Sequence, residues 1–307
     1  MRIGLPGSGQ TVDRIIGQAE RAEADGFTSL WYSSGTAGDP LVAIALAGRA
    51  TSTIELGTSV LQTYTCHPVL QASRAAAVVA AIGTPGRFTL GVGPSHRPVV
   101  EGMQGLSYDT PGRHTDEYVQ IVTALLRGEP VRFAGEEFRV NAAAPALVDG
   151  AAVPVLVAAL APRLLRVAGQ QAAGTITWMA NATSIERFVA PRIRKAAADA
   201  GRPEPRIVAG LPVAVHDDVA EAKAVAAEAF AMYGTLPNYQ RILAHGDAAG
   251  PADAAIVGNE ASVTGQIEAL FAAGATDVWA APFPVGDDRS ASTARTRALL
   301  KELAASA

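Results

Sequence analysis

Hydrophobic and polar positions along the chain fall into short apolar runs that alternate with longer amphipathic ones. Arg2–Leu5 reads as a strand, and Thr11–Asp25 as a helix with Thr11 at its N-cap and Gly26 just past its end. The strand candidates that follow are Ser29–Tyr32, Ile54–Leu61, Phe88–Gly93, Val153–Ala158, Thr175–Met179, Ile207–Val215 and Asp277–Ala281. Helical periodicity marks Pro40–Ala50, His67–Ile82, Thr110–Arg127, Pro162–Gln171, Thr183–Ala200, Val219–Tyr233, Ser262–Ala273 and Ser290–Ala305. Eight β-then-α units without a long linker predict an α/β chain folded as one (β/α)8 TIM barrel spanning 1–307. An open, doubly wound sheet is the alternative that alternation alone permits. The residues beyond a minimal barrel fall near 97–109, 129–150 and 235–259, and Val131–Val140 reads as a small hairpin. The insertions after strand four and after helix seven are placed to serve as binding loops.

Composition narrows the function. The chain has 307 residues, 49% of them hydrophobic and only 18% charged, so a large core is available and disorder is excluded. A net charge of −4 gives no reason to expect a nucleic-acid partner or an anionic membrane surface. Only three of the 25 basic residues are lysines (Lys195, Lys223 and Lys301), so any anion must be met by arginine or by backbone N–H groups. The single cysteine, Cys66, rules out an internal disulfide, and the five histidines have no metal-binding spacing, so no metal site is expected. Neither a leader pattern nor an apolar run long enough for a membrane span is visible, and the expectation is a cytoplasmic protein.

Barrels bind ligands at the C-terminal ends of their strands. There the sequence offers Tyr32, Ser33 and Ser34 after strand two, and Thr58 to Thr65 after strand three. It offers Gly93, Ser95 and His96 after strand four, Ala158 to Leu160 after strand five, and Trp178 and Asn181 after strand six. Gly91-Val92-Gly93 is not a dinucleotide fingerprint, because the third glycine position holds His96. The two glycines do permit a close approach of a planar ligand or a neighbouring strand. Free N–H groups at the start of the helix after Ala158–Ala161 suit an anion. Cys66 and His67 are adjacent and lack an orienting third group, which argues against a thiolate nucleophile.

One combination is more specific. Gly86-Arg87-Phe88-Thr89-Leu90-Gly91-Val92-Gly93, preceded by His67-Pro68 and an alanine-rich helix, resembles the bacterial luciferase-like monooxygenase superfamily. Tyr108-Asp109-Thr110-Pro111-Gly112-Arg113 leading to Glu117-Tyr118, then Leu126-Arg127-Gly128-Glu129, Val153-Pro154-Val155 and Ala172-Ala173-Gly174, extends the resemblance over nearly the whole chain. It is most similar to the branch that uses the deazaflavin F420, and Thr58-Ser59-Val60-Leu61 resembles the F420-dependent glucose-6-phosphate dehydrogenases. The resemblance implies a barrel with the cofactor ring at its mouth and a non-proline cis peptide at Ser59–Val60 behind that ring. It implies cofactor contacts from Thr58, Ser59, Val60, Gln62, Gly93, Ser95, His96, Ala158, Ala159 and Leu160, substrate contacts from Trp178 and Asn181, and a homodimer.

Two departures matter. The Asp-His pair that alcohol-oxidising members carry after strand two is Ser33-Ser34-Gly35 here, which holds no base at neutral pH. An acidic residue usual before strand six is replaced by Ala173. The expectation is therefore an F420-dependent reductase that passes hydride to a C=C, C=N or C=O bond of a small-molecule substrate. Tyr32, Ser33, Ser34, His96 or water would then supply the proton. An FMN-dependent two-component monooxygenase and a non-catalytic cofactor-binding barrel are the alternatives.

Overall fold

A computed structural model describes residues 1–36 and 38–305. Eight parallel strands form its centre: β1 (Ile3–Gly7), β2 (Ser29–Tyr32), β3 (Glu55–Thr58), β4 (Phe88–Gly93), β5 (Val155–Val157), β6 (Gly174–Trp178), β7 (Arg206–Val215) and β8 (Asp277–Pro282). Each pairs with the next in chain order, and β8 pairs back to β1 through Ile3 with Val278 and Gly4 with Trp279. The sheet is therefore a closed barrel ringed by helices, and the open-sheet alternative is excluded.

Strand alternation sorts the side chains into two cores. Outward residues such as Leu30, Leu56, Leu90 and Val157 join the large core beneath the helices. Trp31, Leu156, Ile176 and Val208 pack together inside the barrel, with Val60 and Trp279 against them. Glycines make room for these rings: a Cβ on Gly57 would lie 2.3 Å from Trp31, and one on Gly210 would lie 2.0 Å from the Trp279 indole nitrogen. The N-terminal end of the barrel is closed by charge. Arg206 donates to Glu55 and Asp277, Arg2 reaches the same two carboxylates, and Thr89 donates to Glu55. These contacts tie β3, β4, β7 and β8 to the first residues of the chain.

Local chemistry explains most helix starts. Asp39 accepts from Leu41 N, His67 Nδ1 from Val69 N, Asp218 from Ala220 N and Glu221 N, and Asn259 from Ser262 N. Proline occupies the first turn of several helices, where its missing N–H costs nothing.

Three elements differ from the sequence reading. The expected strand Ile54–Leu61 stops at Thr58, and a two-residue piece, Leu61–Gln62, resumes pairing with β4 at Val92 and Gly93. Between them the Ser59–Val60 peptide is cis, as the resemblance implied. The expected helix Thr183–Ala200 is broken into Ala182–Ser184, a wide π-turn at Ile185–Val189, and Ala190–Asp199. Pro191 lies at this break and has no N–H to donate. The Arg192 guanidinium instead donates to the Arg187 and Phe188 carbonyls. The expected helix Val219–Tyr233 ends at Ala229 and gives way to a 3-10 turn, Ala231–Thr235. A short strand unanticipated from sequence, Ile256–Gly258, extends the sheet along the upper half of β7.

Candidate functional site

The C-terminal end of the barrel opens into a cavity of about 980 Å³. Its floor on one side is made of small groups: Ser59 and Val60 after β3, Gly93 at the end of β4 and Ala158 after β5. Glycine is required at two places there. A Cβ on Gly91 would lie 1.9 Å from the Thr58 carbonyl oxygen, and one on Gly93 would lie 2.8 Å from the Ala158 Cβ and 3.0 Å from Val60. Thr58 fastens this corner, its hydroxyl donating to Gly91 O at 2.7 Å and accepting from Gly91 N at 2.8 Å. The result is a shallow cradle with no long side chain standing in it.

Another part of the lining is aromatic. Trp178 at the end of β6 stacks on Trp279 of β8, with centroids 4.9 Å apart and planes inclined by 26°. Tyr239 comes from the helix Pro237–His245, which belongs to the long excursion between β7 and β8. It is 9% exposed and lies 5.5 Å from the His96 ring. His96 follows Ser95, which adopts a left-handed φ of +62° and whose carbonyl accepts from the Tyr108 hydroxyl at 2.8 Å. Burial pulls the proton affinity of His96 below its ordinary value, and a hydrogen bond with Asn238 works against that shift. The imidazole is accordingly neutral at pH 7. Burial also raises the Tyr108 hydroxyl to about 12 and Tyr239 above its usual range, so both phenols stay protonated.

Charge is confined to the rim. Arg97, Glu101, Arg163 and Arg241 line the mouth, and the first three have side-chain exposures of 55%, 38% and 48%. Arg97 pairs with Glu101 and donates to Tyr108 O at 3.0 Å, and Arg163 meets Asp116 at 3.3 Å. Arg241 is exposed and has no acidic partner among the described residues. The helix Pro162–Gln171 begins at the same mouth, and its N-cap, Ala161, supplies no side-chain acceptor.

The structure brings Ser59, Val60, Gly93, Ser95, His96, Ala158, Leu160 and Trp178 together around this cavity. Other residues singled out from sequence lie elsewhere, and strand alternation explains several. Tyr32 and Ala159 sit on outward positions, fully buried in the helix-facing core, and Thr58 is committed to Gly91. Ser33 is exposed, with its hydroxyl beside that of Thr36 at 3.4 Å. Ser34 and Gln62 border a separate depression of about 230 Å³ with Cys66, Gln71 and Arg74. Asn181 caps the next helix turn through Ser184 N and donates to Gly246 O. The insertions at 97–109 and 235–259 both contribute to the cavity, whereas 129–150, which forms the expected hairpin, supplies none of its lining.

Sequence reasoning missed Trp279, Tyr239, Asn238, Arg163 and Arg241. Trp279 carries a usable signal, because the alternation within Asp277–Pro282 places it on the inward face with Asp277. Tyr239 and Arg241 lie on a helix inside an insertion, and no local pattern says which way that helix leans.

Comparisons place these features among known proteins. The profile of the luciferase-like monooxygenase family matches residues 2–305. The F420-dependent hydroxymycolic acid dehydrogenase of Mycobacterium tuberculosis is 30% identical over 233 residues, covering 69% of this chain and 62% of that protein. The chain spans less than two thirds of the length of that dehydrogenase and of the 5,10-methylenetetrahydromethanopterin reductase of Methanolobus tindarius. The coenzyme F420-dependent tetrahydromethanopterin reductase of Methanopyrus kandleri superposes with a TM-score of 0.73 at 23% identity, covering 98% of this chain and 96% of that one. The oxygenating constituent of 3,6-diketocamphane monooxygenase from Pseudomonas putida, solved with FMN, gives a TM-score of 0.73 at 19% identity, covering 99% and 97%.

Proposed function

The chain belongs to the luciferase-like monooxygenase family, and on that premise we propose that it is an F420-dependent oxidoreductase working as a reductase on a small organic substrate. The observation that carries this reading is the distribution of charge at the cavity. Three arginines and one glutamate stand at the rim, and among the described residues no carboxylate or ammonium group lines the interior. A cofactor with a long anionic side chain suits a rim of spaced cations, and a planar ring suits the cradle of Ser59, Val60, Gly93 and Ala158. Arg97, Arg163, Arg241 and the N–H groups opening the helix at Pro162 would hold the side chain.

Reduced F420, when bound, supplies a hydride to an activated double bond. The protein's own part is positioning, exclusion of water and proton delivery. His96 lines the cavity and burial lowers its proton affinity, so its ring can hydrogen-bond the developing negative charge and relay a proton to it from water. The Tyr239 hydroxyl, in the ring beside it, is a second donor that stays protonated. Ser33-Ser34-Gly35, directly after β2 where an alcohol-oxidising enzyme of this kind would keep its base, hold no carboxylate or imidazole, and Asp39 further on is taken up by Leu41 N and Arg74, which favours the reducing direction.

The FMN-bound structural neighbour supports a second reading, an FMN-dependent monooxygenase fed by a separate flavin reductase. Titration of the purified protein with F420 and with FMN, followed by fluorescence, separates the two. Saturable F420 binding at micromolar concentration, with reoxidation of reduced F420 by an enone or imine, is the expected result. FMN binding with oxygen uptake dependent on reduced flavin would establish the alternative. Binding of neither would leave a non-catalytic barrel.

A further inference from the structure

The cavity divides into parts of different chemistry, and that division says what the substrate is. Beyond the cradle the rings of the lining run without a gap. Trp279 to Trp178 is 4.9 Å between centroids, Trp178 to Tyr233 is 5.8 Å, Tyr233 to Tyr239 is 4.9 Å, and Tyr239 to His96 is 5.5 Å. Four of these five rings line the cavity, and Tyr233 backs them. The arc joins β8, β6, the excursion after β7 and the end of β4.

This wall is built in advance of any ligand. The Trp279 indole N–H donates to Thr177 O at 3.3 Å, and the ring lies over Gly210, where even a methyl group would collide with it. Trp178 is held between Trp279 and the edges of Phe230 and Tyr233. Both indoles are half-buried, so part of each ring is open to the cavity. Ile176 and Leu236 line the cavity beside them, with Thr177, Thr235 and Asn238 from the same segments. Among the described residues, Arg97, Glu101, Arg163 and Arg241, all at the solvent edge, are the only charged residues of the lining.

We infer that the substrate is a flat, uncharged molecule carrying a conjugated double bond, held face-on between the cradle and the Trp178–Trp279 wall. This rests on the reductase reading for the reaction, although the wall's preference for flat apolar molecules does not. Stacking on fixed rings rewards planarity, and an apolar lining penalises a charge that finds no partner. A sugar phosphate would have to leave its phosphate unpaired inside or stop at the rim. The reaction balances as a two-electron reduction. One end of the double bond gains a C–H bond from the hydride, the displaced π pair takes a proton at the other end, and reduced F420 becomes F420.

The test uses coumarin as the flat, uncharged probe and coumarin-3-carboxylate as its anionic counterpart, with binding followed by quenching of tryptophan fluorescence with F420 bound and without it. Coumarin is expected to quench saturably and the carboxylate to bind at least about tenfold more weakly. Trp178→Leu should weaken coumarin about tenfold, the size of one lost stacking contact, while F420 affinity stays within about threefold. Trp178→Phe should restore most of the loss, which separates a missing ring from a damaged fold. Equal or tighter binding of the carboxylate, or unchanged coumarin binding in a folded Trp178→Leu protein, would overturn the inference. Coumarin binding without F420 binding would instead sink the reductase reading and leave the wall's preference standing.

Discussion

The corner where β4 meets the cis Ser59–Val60 segment makes a quantitative demand on two glycines. Replacing Gly91 by alanine puts a methyl group 1.9 Å from a backbone carbonyl oxygen, a position that no side-chain rotation can relieve. The strand must shift, and the paired bonds between Thr58 and Gly91, both buried, are strained or lost with it. Overpacking costs about 1–3 kcal/mol, and each buried polar group left unsatisfied adds about 1–3 kcal/mol. Gly91→Ala is therefore expected to lose at least about 3 kcal/mol, or roughly 5 °C in Tm for a chain of this size. Gly93→Ala meets the Ala158 Cβ at 2.8 Å and Val60 at 3.0 Å, a milder clash that a shift of the Ala158 segment by a few tenths of an ångström relieves. Its expected cost is about 1–2 kcal/mol, or roughly 2–3 °C. The functional effects should run the other way among folded proteins. Gly93 lines the cavity and Gly91 does not, so Gly93→Ala should weaken cofactor binding about tenfold while remaining well folded. Calorimetry gives the first comparison and cofactor titration the second. A Gly91→Ala protein as stable as Gly93→Ala would refute the steric argument, and unchanged cofactor affinity in Gly93→Ala would remove the cradle from the site.

Three further outcomes are expected. Burial lowers the proton affinities of both His96 and His114 below 6.5, so below pH 6.5 the unfolded chain takes up more protons than the folded one. Stability from this source is complete above 6.5 and declines as the pH falls, and replacing both histidines by glutamine should flatten Tm measured between about pH 7.5 and 5.5. Arg241→Glu should weaken F420 binding about three- to tenfold at low salt, with the difference shrinking as salt is raised, because the residue is exposed and screened; an equal loss at all salt concentrations would contradict a rim role. Val42 and Leu70, on adjoining helices, are 57% and 56% exposed, which suits the homodimer expected from sequence. Val42→Asp combined with Leu70→Asp should then shift the protein to monomer in light scattering, and an unshifted mass would place any contact elsewhere.

Much of the fold was legible because it rests on local periodicity. Phe88–Gly93, Pro40–Ala50 and Pro162–Gln171 match their expected bounds to the residue. The misreadings have local causes too. Pro191 widens a helix that amphipathicity alone would continue, and Ser59–Val60 interrupts a strand whose composition runs on. The site was legible only in part. Strand ends could be located, but inward and outward positions were not separated, so Tyr32 and Ala159 were named although both face the helices. Applying the two-residue period to the strand ends would have removed them and added Trp279. The contribution of Asn238, Tyr239 and Arg241 depends on how a helix in the excursion between β7 and β8 packs over the mouth, and that is settled by long-range contacts such as the one between Tyr239 and His96.

The charged closure at the barrel's other end constrains how this molecule can move. Arg206 and Arg2 each grip Glu55 and Asp277, and β8 is laced to β1, so the strands have no seam along which the two halves could part. Opening and shutting of the cavity must then be carried by the pieces laid across the top, residues 97–109 and 235–245. The second of these reaches the end of β4 through the His96–Tyr239 contact, one residue before the first begins. Breathing of the cavity is thereby separated from stability of the barrel. Ligand entry can be retuned by altering two loops and one ring contact, with the strand lattice beneath them left as it is.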